Sequence, residues 1–142
     1  MTNMSKFPSE TFDVVIDKAC MDAIMTGEGD VWNPNPSVIK MTYQTCKEVS
    51  RVLKSPTGVF MQISLAQPHF RKKYLLGQHP CHEDAGDKEK EADNYERQKM
   101  LQQQDHVCPF GWDCQVEEVG GGTAGCFNHF LYIMRKTNII DS

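Results

Sequence analysis

The chain has 142 residues, with 15 basic and 19 acidic side chains and a net charge of −4. This length fits one domain, since single domains usually contain about 100–150 residues. No apolar run approaches the roughly 18 residues that span a membrane, and the first residues (MTNMSKFPSE) lack the apolar core of a signal peptide. There is no excess of basic charge to form a large nucleic-acid surface. We therefore expect neither a membrane nor a nucleic acid as a partner.

The net charge is concentrated in residues 79–106. This segment holds eight acidic and four basic side chains and contains no Val, Ile, Phe or Trp. We predict a solvated, disordered insertion, because the segment cannot bury enough apolar surface to fold alone. Residues 87–104 are rich in Glu, Lys, Gln and Arg, which would also suit a polar helix. The functional alternative is an acidic docking surface.

Six cysteines without a secretory signal indicate reduced thiols in the cytosol. A zinc site is the alternative, and it would draw its ligands from His79, Cys81, His82, His106, Cys108 and Cys114. Structural zinc sites usually present two close pairs of ligands, and the chain has no CxxC pair. The spacing favours free thiols and no bound metal.

The first half of the chain has the pattern of a β-α-β unit. Residues 12–17 (FDVVID) contain three consecutive β-branched residues, which is typical of a strand buried on both faces, and a short helix follows before Gly27. Residues 37–53 carry one apolar stripe at helical spacing. Residues 59–65 (VFMQISL) form a second strand after a Pro/Gly turn. A strand, a helix and a strand in this order predict a parallel crossover and an α/β sheet.

The second half adds a short helix and two strands. Residues 68–74 (PHFRKKY) begin another helix, and residues 112–119 and 127–135 have strand composition. The glycine-rich stretch at residues 120–125 permits the positive φ angles of a hairpin or a wide loop. The chain is thus predicted to begin with parallel strands and to end with an antiparallel pair.

Five stretches in this order carry a resemblance to a known family: FDVVIDKACMDAI, EVSRVLKSPTGVFMQIS, PHFRKKY, GWDCQVEEV and FNHFLYIMRK. The sequence resembles class I, seven-strand methyltransferases that use S-adenosylmethionine. It is most similar to the small eukaryotic members that methylate a lysine of translation elongation factor 1-alpha. The resemblance implies S-adenosylmethionine as cofactor, a protein substrate such as that elongation factor, and a cytoplasmic location.

The resemblance also implies a partial sheet. The family orders its strands 3-2-1-4-5-7-6, with strand 7 antiparallel to its neighbours. Residues 12–17 correspond to the fourth strand, residues 59–65 to the fifth, and the last two strands to the sixth and seventh. The first three strands, the glycine-rich loop and the acid that ends the second strand have no counterpart. The chain is therefore expected to be the C-terminal half of a methyltransferase domain, a Rossmann-like sheet of order 4-5-7-6, inactive alone.

Cofactor contacts follow from the resemblance, position by position. Met1 and Thr2 fall in the adenine-side loop, although Met1 stands where the family has an acid. Lys18 matches a lysine that approaches the cofactor, and a solvated loop lysine is its alternative. Asp17 ends the strand before it. Ala19 replaces the usual glycine, so its methyl group could crowd the loop.

The substrate side is less specific. Asp17 and Asp22 are candidates for orienting an incoming amine, although we expect Asp22 to cap the short helix instead. Trp32 and His69 lie where such enzymes admit substrate, and we expect both to pack. No residue is predicted to be a covalent nucleophile, and the catalytic residues remain unassigned. A non-catalytic interaction module that uses the acidic insertion and a small metal-binding domain are the alternative functions.

Overall fold

The computed structural model describes residues 1–79, 107–121 and 127–138. The strands and helices lie in the following order along the chain: β1 (Val14–Lys18), α1 (Cys20–Met25), β2 (Gly29–Asp30), β3 (Asn33–Pro34), α2 (Pro36–Val52), β4 (Val59–Ser64), α3 (Pro68–Leu75), β5 (Trp112–Val119) and β6 (His129–Lys136). The predicted insertion and the glycine-rich loop fall almost entirely outside the described residues. Their structure, and the division of the chain into half a domain plus an insertion, stay predictions.

Four strands form the main sheet in the order β1-β4-β6-β5. Strands β1 and β4 are parallel, with Val14 opposite Val59 and Lys18 opposite Ile63. Strand β6 is antiparallel to both of its neighbours, β4 and β5. The predicted α/β sheet and its strand order, including one antiparallel strand between parallel ones, are therefore confirmed.

Helix α2 connects the two parallel strands, and its sequence accounts for both of its ends. The side chain of Asn35 accepts a hydrogen bond from the backbone N–H of Ser37 at 3.0 Å, and Pro36 occupies the first helical turn. At the other end Leu53 is already extended, and the turn before β4 follows. The observed helix differs from the predicted one by a single residue at each end.

The hydrophobic core lies on one face of the sheet. All three helices contribute to it, and the strands contribute Phe60, Trp112, Tyr132 and Met134. The buried members of the cluster are Met21, Cys46, Val49, Leu53, Phe60, Leu75, Phe110, Trp112, Tyr132 and Met134. On the opposite face the strand residues Val14, Ile16 and Ile63 are exposed, whereas Ile133 is only 6% exposed.

The expectation that residues 12–17 form a strand buried on both faces is wrong. Strand β1 starts at Val14, and Phe12 makes only an isolated bridge with Leu53. Val14 is 48% exposed and Ile16 is 65% exposed. Both side chains point away from the helices at the edge of the sheet. The three apolar residues alternate between the two faces: Val15 packs against the core, whereas Val14 and Ile16 lie on the face that carries none of the described helices.

A two-stranded hairpin, β2 with β3, is a feature that the sequence did not predict. Gly29 lies opposite Pro34 and Asp30 opposite Asn33, which leaves Val31 and Trp32 at the turn. Each strand has only two residues, too few for any hydrophobic alternation.

None of the three described helices has the length and hydrophobicity that crossing a bilayer requires.

Candidate functional site at the carboxyl ends of the parallel strands

The carboxyl ends of β1 and β4 meet at one edge of the sheet. Asp17 lies opposite Gln62 in the register, and Lys18 lies opposite Ile63. In open α/β sheets, ligands bind in the crevice beyond the carboxyl ends of the strands. The loop that follows β1 is therefore the first place to examine for a site.

Asp17 organises this loop from inside the protein. It is only 2% exposed, and its carboxylate accepts hydrogen bonds from the backbone N–H groups of Cys20 at 2.7 Å and Met21 at 3.1 Å. The side-chain amide of Gln62 donates a third hydrogen bond at 2.9 Å. The amides at the start of α1 are thus satisfied by Asp17, which lies in the preceding strand.

The expectation that Asp22 caps the short helix is wrong. Asp22 lies inside α1, and its Oδ1 accepts hydrogen bonds from the Arg71 guanidinium at 2.5 Å and from the Ser64 hydroxyl at 2.7 Å. The first amides of α1 are bound by Asp17 instead, and no hydrogen bond joins them to Asp22 among the described residues. Asp22 therefore connects α1 to α3 and β4.

Arg71 completes a buried polar network that sequence reasoning missed. It is 3% exposed, and its Nη1 donates to Gln62 Oε1 at 3.1 Å while its Nη2 binds Asp22. Its Nε has no hydrogen-bond partner among the described residues. The available signal was a polar pair, Gln62 and Ser64, in an otherwise apolar strand. Such residues are buried only when they are hydrogen-bonded.

Lys18, Ala19 and Cys20 form the exposed rim of the site. Ala19 has φ 66° and ψ 5°, a left-handed conformation that glycine adopts readily and alanine does not. The backbone thus takes the shape that a glycine would favour, although the side chain carries a methyl group. Lys18 and Ala19 lie at the end of β1 and in the turn that follows it, and a cofactor contact for either residue stays a prediction.

The other predicted cofactor residues lie in different surroundings. Met1 is half-buried and packs against the hydrophobic core, and Thr2 is half-buried beside it in sequence. In the part of the chain that the structure describes, no hydrogen bond joins either residue to Lys18 or Ala19. The carboxylate of Asp17 is occupied by internal donors. A cofactor contact for each of these residues stays a prediction.

The substrate-side aromatic residues are not packed in the way we expected. Trp32 is 80% exposed, so the packing prediction is wrong for this residue. Its ring contacts Phe70 edge-on, with the centroids 6.2 Å apart, and Phe70 contacts the exposed His69 at 3.8 Å. The cause is local, because Trp32 sits at the tip of the unpredicted β2–β3 hairpin.

Three of the four described cysteines, Cys46, Cys108 and Cys114, are buried or half-buried, whereas Cys20 is exposed. Burial raises the pKa of Cys46 far above its ordinary value, and burial raises the pKa of Cys114 to about 11. The pKa of Cys108 is also raised by burial. Protonated thiols are poor nucleophiles and poor metal ligands.

Within residues 1–79, 107–121 and 127–138, no group of three His, Cys, Asp or Glu side chains could hold a metal ion. Three of the proposed zinc ligands, Cys81, His82 and His106, lie outside these residues.

Half of the chain is similar in sequence to curated methyltransferases. EEF1A lysine methyltransferase 4 of Bos taurus is 42% identical over 73 residues, which are 51% of this chain and 28% of the bovine protein. The protein of the same name from Mus musculus is 43% identical over 68 residues, 48% of this chain and 26% of the mouse protein. The predicted resemblance to eEF1A lysine methyltransferases is confirmed.

A longer relative shows the same similarity. The eEF1A lysine and N-terminal methyltransferase of Homo sapiens is 38% identical over 73 residues, 51% of this chain and 9% of the human protein. No family model matches the sequence. The matched segment thus spans about a quarter of the two proteins named EEF1A lysine methyltransferase 4, and less of the human protein.

Two solved structures superpose on most of the chain. A SAM-dependent methyltransferase of Methanosarcina mazei gives a TM-score of 0.45 at 19% identity, covering 96% of this chain and 64% of that chain. A DNA modification methylase of Thermus thermophilus gives a TM-score of 0.48 at 12% identity, covering 94% of this chain and 48% of that chain. The assignment of the fold rests on the order and pairing of the strands described above.

Proposed function

We propose that this chain forms part of a protein-lysine methyltransferase that uses S-adenosylmethionine and acts on an elongation factor of the eEF1A type. The observation that carries the proposal is the 42% identity over 73 residues with a bovine EEF1A lysine methyltransferase. The geometry supports it, because the best-organised polar site lies at the carboxyl ends of parallel strands, where this type of sheet binds ligands.

The rim of the site fits a cofactor in part. The exposed Lys18 supplies a cation for an anionic group, and the left-handed backbone at Ala19 forms an open turn beside it. We propose Lys18 and Ala19 as cofactor contacts and Asp17 as the residue that holds their loop. Thr2 and Met1 remain proposed contacts on the adenine side. When bound, S-adenosylmethionine supplies the methyl group on a sulfonium.

This chain's own residues would hold and orient the reactants. Methyl transfer to an amine requires a deprotonated nitrogen aligned with the methyl group. The Oδ2 of Asp22 accepts no hydrogen bond from the described residues, and the side chain is 31% exposed. Asp22 could thus accept a hydrogen bond from the incoming amine while Arg71 and Ser64 fix its other oxygen.

We propose in addition that the 142-residue chain alone does not transfer methyl groups. Neither parallel strand, β1 or β4, is followed by a glycine-rich loop, and the glycine-rich residues 120–125 follow the antiparallel strand β5. In this fold a glycine-rich loop after a parallel strand brings its backbone N–H groups to the cofactor and supplies much of the affinity. The alternative of a non-catalytic interaction module rests on residues 79–106. It stays a prediction, since nearly all of that segment lies outside the described residues.

The test is incubation with labelled S-adenosylmethionine and purified elongation factor 1-alpha. We expect methylation by a longer protein that contains this chain and the remaining methyltransferase strands, and background label with this chain alone. In the longer protein, Lys18→Ala should weaken cofactor binding at least threefold, whereas Lys47→Ala, an exposed lysine on α2, should not change it. Methylation by this chain alone at the rate of the longer protein would contradict the proposed inactivity, and no methylation by the longer protein would contradict the function.

A further inference from the structure

An exposed aromatic surface stands beside the candidate site. Trp32 is 80% exposed at the tip of the β2–β3 hairpin, and its backbone N–H donates a hydrogen bond to Asp30 Oδ1 at 2.9 Å. Its ring meets Phe70 edge-on at 75°, and Phe70 in turn contacts His69. We call Trp32, His69 and Phe70 the aromatic ledge. A large apolar ring held by a turn yet open to solvent is typical of a binding surface.

The ledge is connected directly to the polar network of the site. Phe70 immediately precedes Arg71 on α3, and the Arg71 guanidinium binds both Asp22 and Gln62. The hairpin that carries Trp32 follows α1, the helix that contains Asp22. A molecule lying on the ledge would therefore lie next to the loop and helix that follow β1.

The charges around the ledge favour a cation. The hairpin segment EGDVWNPN, residues 28–35, carries two carboxylates and no basic side chain. Glu28 accepts a hydrogen bond from the Tyr74 hydroxyl, so Asp30 is the carboxylate next to Trp32. Of the two lysines of α3, Lys73 lines a small cavity with Ile39 and Thr42 of α2, and Lys72 is half-buried. Because Trp32 is 80% exposed, its indole is accessible to a cation, and Trp is the best cation–π acceptor.

From this geometry we infer that the aromatic ledge is a docking subsite for a lysine side chain of the protein substrate, with its ammonium group over the Trp32 ring near Asp30. The inference rests on the proposed function for the identity of the substrate. It adds a recognition site outside the loop that we assign to the cofactor. A cation–π contact at an exposed site contributes about 0.5–1 kcal/mol, which corresponds to roughly a two- to fivefold change in affinity.

The two tryptophans provide the probe for this binding. Trp112 is 2% exposed and its indole N–H donates to the Leu75 carbonyl, so its NMR signal serves as an internal control for that of Trp32. We would titrate the chain with a blocked GKGKGKG peptide and follow both indole N–H signals. We expect a saturable shift of the Trp32 signal, no shift of the Trp112 signal, and at least twofold weaker binding when the lysines are acetylated.

Variants test the residues individually. Trp32→Ala should weaken binding two- to fivefold, whereas Phe127→Ala, which removes an 84% exposed ring elsewhere, should not. Asp30→Asn keeps an acceptor for the Trp32 amide and should weaken binding about twofold through the lost charge. Equal binding of the acetylated peptide, or unchanged binding by Trp32→Ala, would overturn the inference, as would tighter binding of a glutamate peptide of the same length.

Kinetics of the longer protein separate this inference from the proposed function. If the ledge docks the substrate, Trp32→Ala should raise the KM for elongation factor 1-alpha two- to fivefold and leave the KM for S-adenosylmethionine unchanged. Methylation with both KM values unchanged rejects the ledge and keeps the function. Saturable lysine binding without any methylation supports the ledge and rejects the function.

Discussion

Ala19 stores strain in the loop that follows β1. Its φ of 66° is left-handed, a conformation that costs a non-glycine residue about 1–2 kcal/mol. Ala19→Gly should therefore stabilise the chain by about 0.5 kcal/mol, because the relieved strain exceeds the extra entropy that glycine gives to the unfolded chain. Urea unfolding of both proteins measures this difference.

The matched control for this substitution lies one turn further along the chain. Ala23 is in α1, and its N–H donates to the Ala19 carbonyl at 3.0 Å. Ala23→Gly should destabilise the chain by about 0.5–1 kcal/mol, since glycine is unfavourable inside a helix. If both glycines destabilise to the same extent, then the left-handed position of Ala19 is not strained.

Glu48 and Arg51 fasten the N-terminal segment to α2. The Glu48 carboxylate accepts from Arg51 and from the backbone N–H of Met4, and Arg51 also donates to the Met4 and Phe7 carbonyls. The hydrogen bond from Arg51 is the main reason that the pKa of the Glu48 carboxyl lies below its ordinary 4.5, and the hydrogen bond from the Met4 N–H lowers this pKa further. The carboxylate is thus more easily ionised in the folded chain than in the unfolded one.

This shift sets the sign of a pH dependence. Because the folded pKa is depressed, the stabilisation is fully present above about pH 4.5 and is lost as the pH falls through the folded pKa. At pH 7, Glu48→Gln should cost about 1 kcal/mol, since the pair is partly exposed. The difference from the unsubstituted chain should shrink in unfolding curves measured below pH 4.5. A difference that stays constant from pH 7 to pH 3 would contradict the ionic contribution, and Glu117→Gln, an exposed carboxylate on β5, is the control.

For individual residues, the sequence indicated which residue types the site contains, but not which side chains pair with each other. Asp17 and Asp22 are both acids near the end of a strand. Only the folded structure shows that Asp17 holds the loop through the Cys20 amide and that Asp22 links α1 to α3 through Arg71. The partners Gln62 and Arg71 are 45 and 49 residues away along the chain. Contacts over such separations depend on the sheet register, which local patterns do not fix.

Among the elements, α3 depends on one buried cation for its attachment to the rest of the site. Arg71→Leu would leave Gln62 Oε1 without its donor and Asp22 with the Ser64 hydroxyl alone, and losing one partner of a buried, hydrogen-bonded ion pair costs about 3–5 kcal/mol. Since Asp22 is partly exposed, we expect a loss near 3 kcal/mol in the free energy of unfolding. Urea denaturation followed by circular dichroism measures it.

An exposed ion pair provides the comparison. Lys54 contacts Asp13 at 2.9 Å and 3.1 Å, with the two side chains 44% and 75% exposed. Lys54→Ala should cost less than about 1 kcal/mol, as is usual for surface pairs. If Arg71→Leu costs no more than Lys54→Ala, then the buried network does not attach α3.

Elements with strong hydrophobic patterns were predictable within one or two residues, and the others were not. Helix α2 has a long apolar stripe and clear signals at both ends, so its bounds followed from the sequence. Strand β5 matched its predicted range because turn residues flank it. The β2–β3 hairpin has no periodicity, and the exposure of Trp32 depends on it. Trp32 was therefore recognised as a candidate site residue, but it was expected to be packed and is exposed.

Over the whole molecule, one face of the sheet carries the three described helices and the other face carries none of them. The outer face presents Val14, Ile16 and Ile63, which are 48%, 65% and 39% exposed. Strand β1 pairs only with β4 in the described residues, so its other edge has free backbone donors and acceptors. The lack of a counterpart for the family's first strand predicts this open edge, and the run Val14, Val15 and Ile16 contains no lysine or proline that would protect it. It did not predict which of these side chains belongs to which face.

An apolar edge without such protection is a template for pairing with another chain. We expect the isolated chain to self-associate at tens of micromolar, and sedimentation velocity measures this.

Ile16→Lys is a better test of this edge than Val15→Lys, because Val15 packs against the core whereas Ile16 faces solvent. The new charge should reduce association without loss of fold, and Val107→Lys, at an 85% exposed position before β5, should not. A monomer that unfolds cooperatively at these concentrations, with or without Ile16→Lys, would mean that the edge of β1 is protected after all. Association that disappears only when further methyltransferase strands are supplied would identify those strands as the natural cover for the edge.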